Sequence, residues 1–177
     1  LKNRERLKMV NFRDDVLPLK DKLYRLALRI TLETREAEDI VQETLIRVWK
    51  KREEWDKIES IEAFSLTICR NLALDQIAKK EAQNKSLDET YDNTPDNTSF
   101  TPLQSLALDD KRSWVMKLFN KLPEKQKSIM QLRDIEGMSY KEIAVTLGIT
   151  EEQVKISLFR ARQYIRTEFE KIDSYGL

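Results

Sequence analysis

From Thr150 onward, Glu152, Gln153, Ile156, Phe159, Arg160 and Gln163 fall on one face of a helix turning 100° per residue, with Lys155, Arg162 and Arg166 at its margins. The opposite face is the apolar series Val154, Leu158, Ala161, Ile165 and Phe169, the continuous stripe that an amphipathic helix buries. An arginine can bond a guanine edge bidentately, a glutamine can pair with adenine, and an apolar side chain can meet a thymine methyl. The chemistry this face offers is therefore the reading of base edges in duplex DNA. Ile156 and Phe159 sharpen that reading, because a merely solvated face would carry Lys or Glu there; packing against a neighbouring helix is the competing explanation.

Other chemistries have little to work with. The 177 residues contain no histidine and one cysteine, Cys69, so neither a disulfide framework nor a Cys/His zinc site can be assembled. No glycine-rich phosphate loop is present, and a hydrolase or other enzyme is disfavoured; no metal and no cofactor are expected. No apolar run approaches the roughly 20 residues of a membrane helix, and the charged stretch Leu1 to Lys8 lacks a signal-peptide core. The expectation is a cytoplasmic protein without membrane insertion.

The reading helix needs elements to hold it. Ser139 and Glu142 form the S-x-x-E pattern of a capping box, and Thr150 and Gln153 repeat it as T-x-x-Q. Between the two starts lies Leu147-Gly148-Ile149, where glycine can take the positive φ of a tight turn. A short helix, a glycine turn and a longer second helix make a helix-turn-helix, whose second helix enters the major groove, although an ordinary helical hairpin uses the same turn chemistry. Upstream, Trp114, Val115, Leu118, Phe119 and Leu122 predict an amphipathic helix stopped by Pro123, and Glu124 to Ile135 predicts the next, ended near Gly137.

The scarcity of Gly and Pro, three and four, together with 36% charged residues, makes an all-α fold the expectation. Charge divides the chain into three. Residues 1–80 carry 18 Lys and Arg against 15 Asp and Glu, residues 81–110 carry 1 against 7, and residues 111–177 carry 13 against 9. The acidic middle holds Asn-Thr-Pro-Asp-Asn-Thr at 93–98 and reads as a flexible linker, being too polar to offset its ordering entropy. Two small helical domains, 10–80 and 111–172, are expected to flank the linker at 81–110.

In the first domain Ala37, Ile40, Val41, Thr44, Leu45, Val48 and Trp49 recur on one helical face, with Thr34 as an N-cap. An earlier helix, about Leu17 to Leu32, carries Leu19, Leu23, Leu26, Ala27 and Ile30 on one side. A third, about Ile61 to Lys80, has Phe64, Ile68 and Leu72 on one stripe and Leu66, Cys69, Ala73 and Ile77 on another, which places it centrally in a bundle.

Three motifs in this order resemble the extracytoplasmic-function class of bacterial RNA polymerase sigma factors over residues 10–80 and 111–170. Ala37-Glu38-Asp39-Ile40-Val41-Gln42-Glu43-Thr44-Leu45 is similar to the family's polymerase-binding helix, Ile68-Cys69-Arg70-Asn71-Leu72-Ala73-Leu74-Asp75 to its promoter-melting helix, and Leu122-Pro123 through Leu158-Phe159-Arg160-Ala161-Arg162 to its promoter-reading domain. The resemblance implies a promoter-specificity subunit and no catalysis. Its partners would be core RNA polymerase, through the coiled coil of the largest subunit and the flap, and promoter DNA, with an anti-sigma factor covering both DNA faces in an inactive state.

Asp39, Gln42, Glu43 and Ile46 project off the core stripe as a mixed acidic and apolar strip; periodicity alone fits a solvated face, and the resemblance implies polymerase contact. Asn71 matches the family's position near the pocket for a flipped minus-ten base, with Arg70, Lys79 and Lys80 as phosphate partners. Lys50, Lys51, Arg52, Trp55 and Lys57 interleave cations with an aromatic, as in sites that track a backbone and stack an unpaired base. Trp55 either does this or plugs the bundle, whereas Trp49 is expected to be buried. Gln153, Lys155, Ile156, Phe159, Arg160 and Gln163 would read the minus-thirty-five duplex. Ile156 and Ser157 stand where the family often has a basic or polar pair, which suggests apolar readout at 156. The rival is a stand-alone helix-turn-helix regulator, which has no need of the Asp39 to Ile46 strip.

Overall fold

A computed structural model describes residues 10–85 and 106–174, and every regular element among them is helical. The acidic segment at 86–105, the core of the expected linker, lies outside the described residues. A helical turn at Phe12–Val16, opened by Asn11 Oδ1 accepting from the Arg13 and Asp14 amides, leads through a 3₁₀ turn at Leu17–Leu19 into α1 (Lys20–Thr31). Then follow α2 (Thr34–Lys50), a 3₁₀ turn at Arg52–Lys57 and α3 (Ile61–Lys85). The C-terminal block contains α4 (Leu106–Asn120), α5 (Glu124–Met130) with a wider turn at Gln131–Ile135, α6 (Tyr140–Leu147) and α7 (Glu151–Ser174).

Local chemistry accounts for the boundaries. The α1 to α2 connection is two residues, and Leu32 closes α1 in the left-handed region at φ 60°, the one non-glycine residue with positive φ among the described residues. Thr34 is the first residue of α2 and not its cap: Glu33 takes the extended cap conformation, without a side-chain cap bond. Both capping boxes form. Ser139 Oγ accepts from the Glu142 amide at 3.2 Å while Glu142 Oε2 accepts from the Ser139 amide at 2.9 Å, and Thr150 and Gln153 make the same reciprocal pair, each at 3.2 Å. Gly148 closes α6 at φ 63°, where a side chain would be strained.

The first three helices form the N-terminal bundle around Leu23, Leu26, Ala27, Ala37, Ile40, Val41, Leu66 and Cys69, all buried. A second cluster beneath the 3₁₀ turn joins Val16, Val48 and Trp55 to Phe12, Phe64 and Ile68. α3 is covered on two sides, which explains its two apolar stripes. The larger core does not stop at the N-terminal bundle. It continues without a break through Ile129, Leu132, Met138, Ile143, Ala144, Val154 and Leu158 of the C-terminal block, so the two blocks share one apolar core.

Cys69 belongs to that core. Its Sγ donates to the Leu23 carbonyl oxygen at 3.3 Å, and burial pushes the thiol up to about 12. It is a packing residue and carries no thiolate at neutral pH.

Candidate nucleic-acid interface

The outer face of α7 stands clear of the core as the periodicity predicts. Val154, Leu158 and Ala161 are buried, while Phe159 is 66% and Ile156 44% exposed, and Gln153, Lys155, Arg160 and Gln163 are exposed with them. Among the described residues no neighbouring helix covers Ile156 and Phe159, which removes the packing explanation for their presence. The helix is about 36 Å long at 1.5 Å per residue, and its first turns follow the Gly148 turn, leaving the N-terminal half free to enter a groove. Two members of the face have partners: Gln153 Oε1 accepts from the Thr150 amide, and the Lys155 ammonium lies 5.6 Å from the Tyr140 ring centre, which Arg133 also faces at 4.6 Å. Arg162, at the margin, forks onto Asp134, so Arg160 is the guanidinium on the open face.

The second set of expected contacts divides. Asn71 and Lys79 are exposed on α3. Lys80 is held by Glu36 at 2.6 Å and Glu33 at 2.9 Å, pairs that raise its pKa and tie the end of α3 to the start of α2. Lys51 is exposed and reaches Glu54 at 2.9 Å. Arg70 is half-buried, its Nε donating to Ser128 Oγ at 3.3 Å.

Of the two tryptophans, Trp55 takes the second of its two expected roles and plugs the bundle, whereas Trp49, expected to be buried, is not. Trp55 is buried at 7%, its Nε1 donating to the Val48 carbonyl oxygen at 3.1 Å and its ring stacked on Phe12 with centres 6.4 Å apart. It fills the bundle and cannot offer a full face to an unpaired base. Trp49 is 47% exposed, edge-on to both Phe12 and Trp55, with the Arg52 guanidinium 5.0 Å from its ring centre. The cause lies in the helical angle. Trp49 stands three residues past Ile46 and ten past Asp39, so it extends the strip of Asp39, Gln42, Glu43 and Ile46 rather than the buried stripe.

All four members of that strip project outward. Glu43 is tied to Arg47 one turn on at 2.7 Å, and Ile46 is 47% exposed. Beside it Phe12, Leu45, Ile46, Trp49 and Lys50 line an open apolar depression of about 430 Å³. Trp49 lines this depression although its exposure was not expected, and the i+3 step from Ile46 was the available signal.

The two blocks meet through charge as well as through apolar contact. Lys22, Arg25 and Arg29 lie on one stripe of α1. Lys22 Nζ pairs with Glu62 at 2.7 Å and donates to the Glu136 carbonyl oxygen at 3.3 Å. Arg25 holds both carboxylate oxygens of Glu136 at 2.9 and 2.6 Å, and Arg29 holds both of Glu124 at 2.9 Å while donating to Ser128 Oγ and Gln131 Oε1. On the other flank Thr67 Oγ1 donates to the Thr146 carbonyl oxygen at 3.3 Å, and Lys141 pairs with Glu59.

Known proteins place this architecture. The family model for Sigma-70 region 2 matches residues 16–83 and that for Sigma-70, region 4 matches residues 112–165. The ECF RNA polymerase sigma factor SigE of Mycolicibacterium smegmatis is 32% identical over 157 residues, 87% of this chain; this chain spans 60% of SigE's own length. SigL of Mycobacterium tuberculosis is 30% identical over 151 residues, covering 85% of this chain and 84% of SigL. Among solved structures the sigma factor RpoE of Bartonella quintana, in complex with the anti-sigma factor NepR, is similar with a TM-score of 0.71 at 27% identity, over 92% of this chain and 98% of that one. Since the region 2 model falls on the N-terminal bundle and the region 4 model on the helix-turn-helix block, and SigL is matched over most of its length, the chain belongs to the ECF RNA polymerase sigma factors.

Proposed function

We propose that this sigma factor directs core polymerase to its promoters by two DNA contacts and one protein contact. Region 4 reads the minus-thirty-five duplex through α7, with Arg160, Gln163 and Gln153 facing base edges, Ile156 and Phe159 meeting thymine methyls, and Lys155 on the backbone. Region 2 captures melted minus-ten bases at Asn71, with Arg70, Lys51 and Lys79 on phosphates. Asp39, Gln42, Glu43 and Ile46 seat on the coiled coil of the polymerase's largest subunit, and region 4 engages the flap. The protein acts by positioning, without catalysis of its own, in the cytoplasm where polymerase and chromosome meet. Among the described residues no helix is long and apolar enough to cross a membrane.

The observation that carries this reading is the uncovered apolar and polar face of α7 on a fully capped helix-turn-helix, in a family defined by promoter recognition. Two contacts on one chain act together once polymerase fixes their geometry, so each need bind only weakly alone. Bartonella RpoE was solved bound to NepR, and an anti-sigma factor of this kind is the partner proposed for the inactive state.

The test is run-off transcription by core polymerase with this chain on a random promoter library. Enrichment of one sequence pair is expected, and Ile156→Ala should relax preference at one position of the upstream element. A mismatched base contact there is worth about 1–3 kcal/mol. No enrichment at all overturns the reading. Failure of Asp39→Arg and Glu43→Arg to weaken capture of core polymerase overturns the assignment of that strip.

A further inference from the structure

Along α7, Lys155, Arg162 and Arg166 stand at i, i+7 and i+11, a single stripe on one margin of the reading face. The rise of the helix sets them about 10 and 6 Å apart along its axis. Tyr140, at the start of α6, lies against the first of them: the Lys155 ammonium and the Arg133 guanidinium are 5.6 and 4.6 Å from its ring centre. Three cations of α7 and one of the turn at Gln131–Ile135 thus gather along one flank of the helix-turn-helix.

These cations are not equally free. Among the described residues no carboxylate lies within ion-pair distance of Lys155 or Arg133, and Arg133 donates to the Met138 carbonyl oxygen at 2.7 Å. Arg166 reaches Glu170 one turn on at 3.7 Å, with both side chains largely exposed. Arg162, between them, is forked: its Nε donates to Asp134 Oδ2 at 3.3 Å and its Nη2 donates to Asp134 Oδ1. Asp134 follows Arg133 in the turn, beside the row and outside the reading face of α7.

The fork does little to hold α7 in place. Its two side chains are 52% and 34% exposed, and ion pairs open to water contribute little to stability. Buried Val154, Leu158 and Ala161 and the reciprocal bonds of Thr150 and Gln153 anchor the helix without it. What the fork does change is the charge that α7 presents. A carboxylate bound at two nitrogens occupies the edge with which a guanidinium grips a phosphate, so Arg162 is withheld from the row between Lys155 and Arg166.

The withheld charge matters because phosphate contacts carry no sequence information. Each one added raises affinity for all duplex alike and steepens its salt dependence. A promoter binder whose two contacts act together once polymerase fixes them needs each to be weak alone. With the whole row free, region 4 would hold the chain on bulk DNA before polymerase is met.

We infer that Asp134 sets the sequence-independent affinity of region 4 for duplex DNA, by holding Arg162 off the phosphate backbone and leaving the choice of site to the base-reading residues of α7. The inference rests on the reading of α7 as the duplex-binding helix, and adds to it an acidic residue outside the reading face.

The experiment measures binding of the full chain, without polymerase, to a labelled duplex of mixed sequence across a range of salt. Ile156 and Phe159 are open in the structure as it stands, so the full chain is the right reagent. Asp134→Asn keeps the shape of the side chain and removes its charge. Affinity is expected to rise about fivefold at low salt, and the slope of log K against log salt to steepen by about 0.9, the value for one phosphate contact on a duplex. Asp134→Ala removes the remaining acceptor too, and should give a gain at least as large. Adding Arg162→Gln should return affinity and slope to the parental values. Glu168, as exposed as Asp134 and likewise paired with a cation, lies on the far margin of α7; Glu168→Gln makes the same change of net charge and should leave the slope unaltered. No gain in either Asp134 variant overturns the inference, as does a gain that survives Arg162→Gln or that Glu168→Gln reproduces. In run-off transcription, unlabelled duplex mixed with the chain before core polymerase is added should inhibit Asp134→Asn at about one-fifth of the concentration that inhibits the parent, and equal inhibition also overturns it. Parental transcription without competitor tests the promoter reading separately: its failure sinks that reading, and the duplex titration still decides the role of Asp134.

Discussion

The Glu136 side chain has no exposed surface, and both of its carboxylate oxygens accept from Arg25, 111 residues earlier in the chain, at 2.9 and 2.6 Å. The pair is asymmetric, because the arginine is nearly half exposed and the carboxylate is not. Hydrogen bonding to Glu136 raises the arginine's pKa in spite of the opposing effect of burial. Removing the arginine while the regions stay closed strands a buried charge, at a cost of about 3–5 kcal/mol. Separation avoids that cost by returning Glu136 to water. Arg25→Met should therefore uncouple the two regions more than it unfolds either. Calorimetry is expected to show the melting of the parent chain split into two transitions in the variant, and one unchanged transition would count against the coupling.

Acid should loosen the same surface. Burial works to raise the Glu124 carboxyl, but the Arg29 fork and charge and the Ser128 hydroxyl outweigh it and hold the group below the ordinary carboxylate range. A carboxylate with a depressed folded pKa contributes stability that is complete above its unfolded value, about 4.3, and is lost as pH falls through the folded value. Interregion stability is thus expected to be flat from neutral pH down to about 5 and to decline below about 4. In Glu124→Gln that acid limb should shrink. An equal decline in the parent and the variant, followed by fluorescence transfer between the regions, would place the titration elsewhere.

How much of this was open to sequence reasoning depends on whether a feature is local. The two capping boxes, the Gly148 turn and the split of α7 into buried and open faces are set within a turn or two of helix, and period and cap chemistry locate them. The two stripes of α3 are equally visible, but the share of the C-terminal block in the core around that helix is not. Ile129, Leu132 and Ile143 lie more than forty residues beyond its end, and no periodicity names a partner at that distance. The same holds for Arg25 and Glu136, each of which reads as an ordinary surface charge on its own helix. Trp49 was misplaced for a different reason: it was counted with Leu45 and Val48 at the end of the apolar stripe, whereas its helical angle sets it beside Ile46. Trp55, outside any regular helix, gave no period to read.

The tryptophans now make opposite predictions. Trp55→Ala removes a buried ring and the bond to the Val48 carbonyl oxygen, and should lower stability by about 3–5 kcal/mol, as loss of a buried aromatic does. Trp49→Ala should change stability by about 1 kcal/mol or less, since the ring is half exposed and makes edge contacts to Phe12 and Trp55. If the strip from Asp39 to Ile46 is the polymerase contact, Trp49→Ala should nevertheless weaken capture of core polymerase about tenfold or more, because an exposed tryptophan beside an apolar depression is the kind of anchor on which interfaces depend. Urea melts and a pull-down on the same pair of variants decide it. A severe melt in Trp49→Ala, or full capture by it, would return this residue to a structural role.

Leu32 offers a test of backbone strain that no side-chain contact complicates. It closes α1 at φ 60° with its amide donating to the Leu28 carbonyl oxygen at 2.8 Å, and its side chain is 63% exposed. A side chain in the left-handed region costs about 1–2 kcal/mol, which glycine does not incur. Glycine returns part of that gain through the greater freedom of the unfolded chain, about 0.5–1 kcal/mol. Leu32→Gly is therefore expected to raise stability by up to about 1 kcal/mol, although it deletes a large apolar side chain. Leu32→Ala is the control: it deletes nearly the same atoms and keeps the strained Cβ, so it should bring no gain. Chemical denaturation of the two variants beside the parent separates the terms. Equal stability of the glycine and alanine variants would show that the turn relaxes without strain and that the short α1 to α2 connection, not the conformation of Leu32, fixes the end of the helix.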